Sequence, residues 1–247
     1  MLDDINNLFN DVNIPKNKII VLHVRLKLLL KNKFNYTKLS KDIISSVTDL
    51  FQPKDILVPS FTYSFTNSNF FDVKQSSSEV GRFSEEIRKL SETKKRSCDP
   101  IFSLVSINNK LNNLDIDFKS AFGKKSIWDV LSKSGYIILN INLPEPIVTT
   151  HIHYLEQKYK VDYRFIKSFK GVVKNHTGID VKINYEYFVR DLRKNKKWNR
   201  YKIYKYLKDN NAIIESKNGL VKAFSSKSLD ILIGNALMQD KNFLIKK

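Results

Sequence analysis

The sequence predicts an α/β fold: a three-layer α/β/α sandwich around a central mixed, largely parallel sheet. Three observations carry this. Two short, β-branched apolar runs lie at residues 18–23 and 56–59. A segment with apolar residues at helical spacing separates them, and a third apolar run at 135–141 is followed by a further helix signal. Strands that alternate with helices of this length are joined by crossovers, which makes the sheet largely parallel.

In chain order, Leu2, Ile5, Leu8 and Phe9 fall on one face of a helix over residues 1–16, which Pro15 ends. Residues 18–23 are the first buried strand. Leu39, Ile43, Ile44, Val47 and Phe51 define a helix over 38–51, capped by Thr37 or Ser40. Pro53-Lys54-Asp55 turns the chain into the second strand. Residues 62–80 are rich in Ser, Thr, Asn and Phe and read as a long loop. A short helix follows over 82–91, with Phe83, Ile87 and Leu90 inward. Then come a strand at 101–107, a helix at 127–131, the strand at 135–141 and a helix from Thr149 or Thr150 to Lys158.

Beyond residue 163 the pattern changes. Alternation over 181–187 marks an exposed strand, paired in a hairpin with 165–173. A helix over 198–208 leads to two short strands flanking Asn218-Gly219, a strong hairpin signal. A last helix covers 228–239. Residues 1–247 read as a single domain in which 163–225 form a hairpin-rich subregion.

Bulk properties narrow the function. Cys98 is the sole cysteine among 247 residues, so an internal disulfide or Cys-based metal cluster is excluded. No apolar run is long enough to span a membrane and the N-terminus is not a signal peptide, which reads as cytoplasmic. The net charge of +18 is spread through Lys- and Asn-rich stretches and is not interleaved with aromatics at a nucleic-acid module's spacing. It reads against a nucleic-acid partner, and it would attract any phosphorylated small molecule.

Four segments could carry chemistry. In Thr149-Thr150-His151-Ile152-His153-Tyr154-Leu155-Glu156, His153 and Glu156 are i and i+3 on a helix and share a face. A histidine in the first turn sits at the positive end of the helix dipole, which favours a neutral base that a carboxylate could orient. The same octet also reads as a surface helix with two incidental histidines. His151 and His153 diverge on a helix and have no third ligand, which weakens a metal reading. Pro59-Ser60-Phe61-Thr62-Tyr63-Ser64-Phe65 follows a buried strand, where open sheets form ligand crevices. Lys94-Lys95-Arg96-Ser97 offers cations and a hydroxyl to a phosphate, or is a solvated basic loop. His23-Val24-Arg25 follows the first strand, where a helix start could meet an anion, or where His23 is structural.

The order and spacing of these segments resemble the aminoglycoside 3-N-acetyltransferase family. The matching pieces are Val21-Leu22-His23, the segment from Pro59 to Phe65, Gly81 with Phe83 and Arg88, Arg96-Ser97, Pro100, Ser103, Ser126, the segment from Thr150 to Glu156, and Tyr163-Arg164. The resemblance implies the sandwich fold, acetyl-CoA or another acyl-CoA as co-substrate, no metal, and direct acyl transfer to an amine with His153 as base. It implies a carboxylate helper: Glu156 by motif, with Glu186 or Asp191 as further candidates. It puts His23, Val24, Arg25, Arg96, Ser97 and Ser126 at CoA, and Ser60, Tyr63, Phe65 and Asp99 at the acceptor. Shorter members resemble surface-polysaccharide enzymes, which makes the expected acceptor an amino sugar, free or nucleotide-linked. A homodimer is compatible with this picture. Departures are Val24 and Arg25 in place of hydroxyls, Lys38-Leu39-Ser40-Lys41 in place of a glycine pair, Asp99 in place of a histidine and Asn140 in place of a glycine. A member that binds a glycan without CoA chemistry is the second reading.

Overall fold

The computed structural model describes residues 2–28, 35–92 and 95–246. In chain order its main elements are α1 (Leu2–Asn7), β1 (Ile19–Val24), α2 (Tyr36–Phe51), β2 (Asp55–Pro59), α3 (Phe65–Ser68), β3 (Phe70–Asp72), α4 (Arg82–Leu90), β4 (Leu104–Ser106) and α5 (Ile127–Ser134). They continue with β5 (Tyr136–Ile141), α6 (His151–Lys158), β6 (Arg164–Lys174), β7 (Asp180–Arg190), α7 (Arg200–Asp209), β8 (Ile214–Glu215), β9 (Val221–Ser225) and α8 (Ser226–Gln239).

The central sheet runs β4-β2-β1-β5-β9-β8. Parallel pairing is confined to β2, β1 and β5, and antiparallel strands flank them on both sides. Period-two alternation separates the two faces of these strands. Ile20, Leu22, Ile56, Val58, Leu139 and Ile141 pack with α1, α2 and α4. Val21, Leu57, Ile138 and Phe224 pack the other way, with α5, α6 and α8. That is the expected sandwich. A second sheet, β3-β6-β7, joins the same core through Phe71, Phe169, Tyr185 and Phe188. Among the described residues no helix is long and apolar enough to cross a membrane.

Several expectations need correction. The first helix stops at Asn7, and the chain to Pro15 runs in turns and irregular backbone while still burying Phe9, Val12 and Ile14. The α2 cap is Asn35, whose side chain accepts from the Lys38 amide; Thr37 is occupied by a 2.6 Å hydrogen bond to Glu86. Leu90, the last residue of α4, is exposed. Ile101 and Phe102 lie in a turn ahead of β4. The 62–80 loop contains α3 and β3, which the sequence could not reveal because β3 pairs only with the distant β6.

That long-range pairing depends on a close approach. Val172 donates to the Asn69 carbonyl at 2.9 Å. A Cβ on Gly171 would lie 2.6 Å from that carbonyl and 2.7 Å from the buried Phe65 ring. Neither neighbour can yield cheaply, so Gly171→Ala is expected to cost about 1–3 kcal/mol, seen as a lower denaturation midpoint.

Candidate active site

His153 is the third residue of α6, the helix that follows β5 across a short connection. Glu156 is fully buried one turn later, and its Oε2 lies 2.7 Å from His153 Nδ1. Two further groups hold that carboxylate. Trp198 Nε1 donates to Oε1 at 2.8 Å, and Arg164 Nε forms an ion pair with Oε2 at 2.8 Å. The Trp198 ring also stacks on the imidazole, with centroids 4.5 Å apart and planes at 34°. Phe122 covers another side at 5.9 Å.

These contacts set the charges. Burial alone would raise the Glu156 carboxyl, but hydrogen bonding and attraction from His153, followed by Arg164, outweigh it and hold the group ionised. Burial and then the Arg164 charge push His153 below its ordinary value, with hydrogen bonding and attraction from Glu156 pulling the other way. Arg164 Nη2 lies 2.9 Å from the same Nδ1 that faces Glu156. Nδ1 carries either one proton or one lone pair, so only one of these partners bonds it at a time. The buried carboxylate favours Nδ1–H, which leaves Nε2 as the free basic nitrogen. A quarter of the His153 side chain is exposed.

Two clefts meet at this imidazole. One, of about 220 Å³, is the crevice at the carboxyl ends of β1 and β2, lined by His23, Val24, Pro59, Tyr63, Thr149 and Thr150 among others. His23 Nε2, on the wall of this crevice, is buried without a partner, and so are both side-chain polar atoms of Asn140, its register neighbour on β5. Burial takes the His23 imidazole down to about 4, so it is neutral. The other cleft, of about 290 Å³, is lined by Tyr163, Arg164, Arg190, Lys196, Lys197 and Arg200. His153, Trp198 and Arg200 border both. Among the described residues no group of His, Cys, Asp and Glu could hold a metal ion.

A sequence model of aminoglycoside 3-N-acetyltransferases matches residues 41–229, three-quarters of the chain and all of the His153–Glu156–Arg164–Trp198 cluster. The chain belongs to the aminoglycoside 3-N-acetyltransferase family. Solved structures similar to it include AAC(3)-IIb, with TM-score 0.75 and 15% identity over 97% of both chains. AAC-IIIb in a binary complex with CoASH gives TM-score 0.74 and 14% identity, covering 97% of this chain and 96% of that one. YokD from Bacillus subtilis gives TM-score 0.70 and 14% identity, covering 97% and 99%. At these identities the likeness carries the fold. No curated protein sequence matches.

Several residues singled out from the sequence of this aminoglycoside 3-N-acetyltransferase family member are committed to holding its fold. Arg96 is 2% exposed and its five N–H groups are spent internally. Nε donates to Ser103 Oγ, Nη1 to the Val73 and Ser76 carbonyls, and Nη2 to the Ser60 carbonyl and Thr62 Oγ1. It has no donor left for a phosphate. Ser97 Oγ accepts from the Leu104 amide, and Ser126 Oγ caps α5. Both are buried and neither lines a cleft beside His153. Asp99 is equally buried: it accepts from the amides of Ile101 and Phe102 and from the Tyr185 hydroxyl, so it shapes a turn and does not face an acceptor. Phe65 is fully buried against Tyr185. Ser60 is also fully buried, and only Tyr63 of the three reaches the crevice. Asp191 caps the turn at 192–194 and pairs with Arg193, and Glu186 is exposed on β7, so neither assists His153. Arg25 donates its amide to the Ile141 carbonyl, joining the ends of β1 and β5. Lys94 lies outside the described residues.

His151 is a core residue. It is fully buried, with Nδ1 2.9 Å from the Tyr136 hydroxyl and Nε2 2.9 Å from Asp230. The sequence missed roles for Arg164, Trp198, Arg190 and Arg200. Tyr163-Arg164 was visible as a pair but carried no signal that β6 would return it to α6. Lys196 and Lys197 were hidden in the general lysine excess.

Proposed function

We propose that this chain is an acetyl-CoA-dependent N-acetyltransferase acting on the amino group of an amino sugar, with one domain built on both sheets. The observation that carries this reading is an imidazole held at Nδ1 by a buried, ionised carboxylate and bordered by two clefts. The crevice at the strand ends is the donor side. Its unsatisfied His23 suits an amide or hydroxyl of a pantetheine arm, and Val24, Pro59 and Tyr63 supply apolar wall. Acetyl-CoA supplies the acetyl group as a thioester.

In this mechanism the acceptor nitrogen attacks the thioester carbonyl while His153 Nε2 takes its proton. A C–N bond forms, the C–S bond breaks, and the thiolate leaves to be protonated. Glu156 stabilises the imidazolium that forms, and Trp198 and Arg164 keep the carboxylate in place. Transfer is direct, with no acyl-enzyme. The test is release of CoA thiol, followed with an amino-sugar acceptor in the wild type and in His153→Ala. Undiminished release in the variant would sink the base assignment.

The pH profile follows from the directions given above. A base depressed below its ordinary value of 6.5 stays neutral at pH 7. The acid limb of kcat/KM due to His153 is therefore expected below 6.5. Glu156 raises the His153 pKa, so Glu156→Gln should move that limb to lower pH. The same change should lower kcat by about tenfold or more, because the imidazolium loses its counter-charge. A limb that moves to higher pH would contradict the pairing.

A further inference from the structure

The second cleft bordering His153, which none of the strand-end residues His23, Val24 and Pro59 lines, is rich in cations. Of the cations lining it, Arg164 is neutralised by Glu156. Arg190, Lys196, Lys197 and Arg200 have no carboxylate partner among the described residues. Arg200 is anchored through the Ile147 carbonyl at 2.8 Å and lies over the Trp198 ring. The backbone of this segment is fixed: Lys246 donates to the Lys197 carbonyl at 2.8 Å, Asn199 to the Leu244 carbonyl at 2.8 Å, and Trp198 pairs with Ile245. The acids that could have drawn in a polycation are committed elsewhere. Glu79 accepts from the Ser64 amide, Glu85 is paired with Arg88, Glu86 with Arg82, and Asp99 is buried in its turn.

We propose that this cleft binds a phosphate or diphosphate carried by the acceptor, so that the amine is presented to His153 on a phosphorylated or nucleoside-diphosphate-linked sugar. This rests on the transferase reading and names the acceptor class for the same site. The arrangement divides the charges by side. Donor contacts come from the strand ends, and acceptor phosphate contacts come from Arg190, Lys196 and Lys197, which do not line the donor crevice. Guanidinium and ammonium groups hold phosphate oxygens by charge-assisted hydrogen bonds. A ligand with several ammonium groups would be repelled by the same wall.

The test is calorimetric titration of inorganic pyrophosphate into the CoA-saturated protein. Wild type should bind it, and Lys196→Ala/Lys197→Ala should bind it about tenfold more weakly or worse, with CoA affinity unchanged. Lys38→Ala/Lys41→Ala removes the same charge from the exposed face of α2 and should leave pyrophosphate binding intact. The proposal is overturned by absence of binding to the wild type, by undiminished binding to the cleft variant, or by an equal loss in the α2 control, which would mean bulk charge alone. It is also overturned if CoA saturation abolishes pyrophosphate binding and the cleft variant loses CoA affinity, since the cleft would then hold the donor's phosphates. Failure of the transferase reading shows separately, as absence of thiol release with every amine offered.

Discussion

His153→Ala should lower kcat/KM for acetyl transfer by about 10²- to 10⁴-fold, the usual contribution of a positioned general base. The protein should stay folded. The imidazole is partly exposed, and its loss leaves Glu156 with both Trp198 Nε1 and Arg164, so no buried charge is stranded. CoA should still bind within a few-fold, because the crevice at the strand ends keeps its other walls. Activity and binding are thus expected to separate cleanly. Thiol release measures the first and calorimetry with CoA the second. A variant that loses both in proportion would point to a collapsed site and leave the role of His153 as a base without support.

The largest effect on stability is expected at Arg96. Its guanidinium joins the β2 end, the 62–80 segment and the strand edge at Ser103 in one buried knot, with the Phe71 ring 4.8 Å from it. Burial lowers its pKa to about 9, still protonated at neutral pH. Arg96→Ala would orphan the Val73 and Ser76 carbonyls, leave the Ser60 carbonyl with the Ser103 hydroxyl alone, and open a cavity beside Phe71. Orphaned buried acceptors cost about 1–3 kcal/mol each, so a total loss of at least about 3 kcal/mol is expected. For a chain of this size that corresponds to a Tm lower by about 6–12 °C. Arg96→Lys should recover only part of this, since an ammonium has three donors and no fork. A melting point unchanged in Arg96→Ala would refute this account of the knot.

The contrast between Arg96 and His153 shows what was legible in the sequence. Periodicity located β1, β2 and β5, α2 and α6, the β6–β7 hairpin and the Asn218-Gly219 turn, because these depend on local pattern and on faces that must be buried. The His153–Glu156 pair was legible because both residues lie on one turn of one helix. Which way a polar side chain turns was not. Arg96, Ser97, Asp99 and Ser126 have the composition of a phosphate or substrate site, yet each satisfies nearby backbone groups instead. For Arg96 and Ser97 that choice depends on carbonyls and amides brought in by other segments, and for Asp99 and Ser126 on turn and cap amides two or three residues on. Arg164 and Trp198 reach His153 from 11 and 45 positions away along the chain, by way of β6 and the segment before α7, and no spacing rule anticipates such a return.

The pairing of Trp198 with Ile245 has a consequence for how such a protein can diversify. The last described residues, with Leu244 fully buried, clamp the backbone from Lys197 to Asn199. Length changes there would be transmitted to the ring that stacks on His153 and should be poorly tolerated. Side chains of the same segment that line the cleft, such as Lys197, can be exchanged without moving that backbone. Divergence in what the cleft accepts is therefore expected as substitutions on a frame of constant length, so that specificity can drift while the proton-transfer geometry is inherited intact.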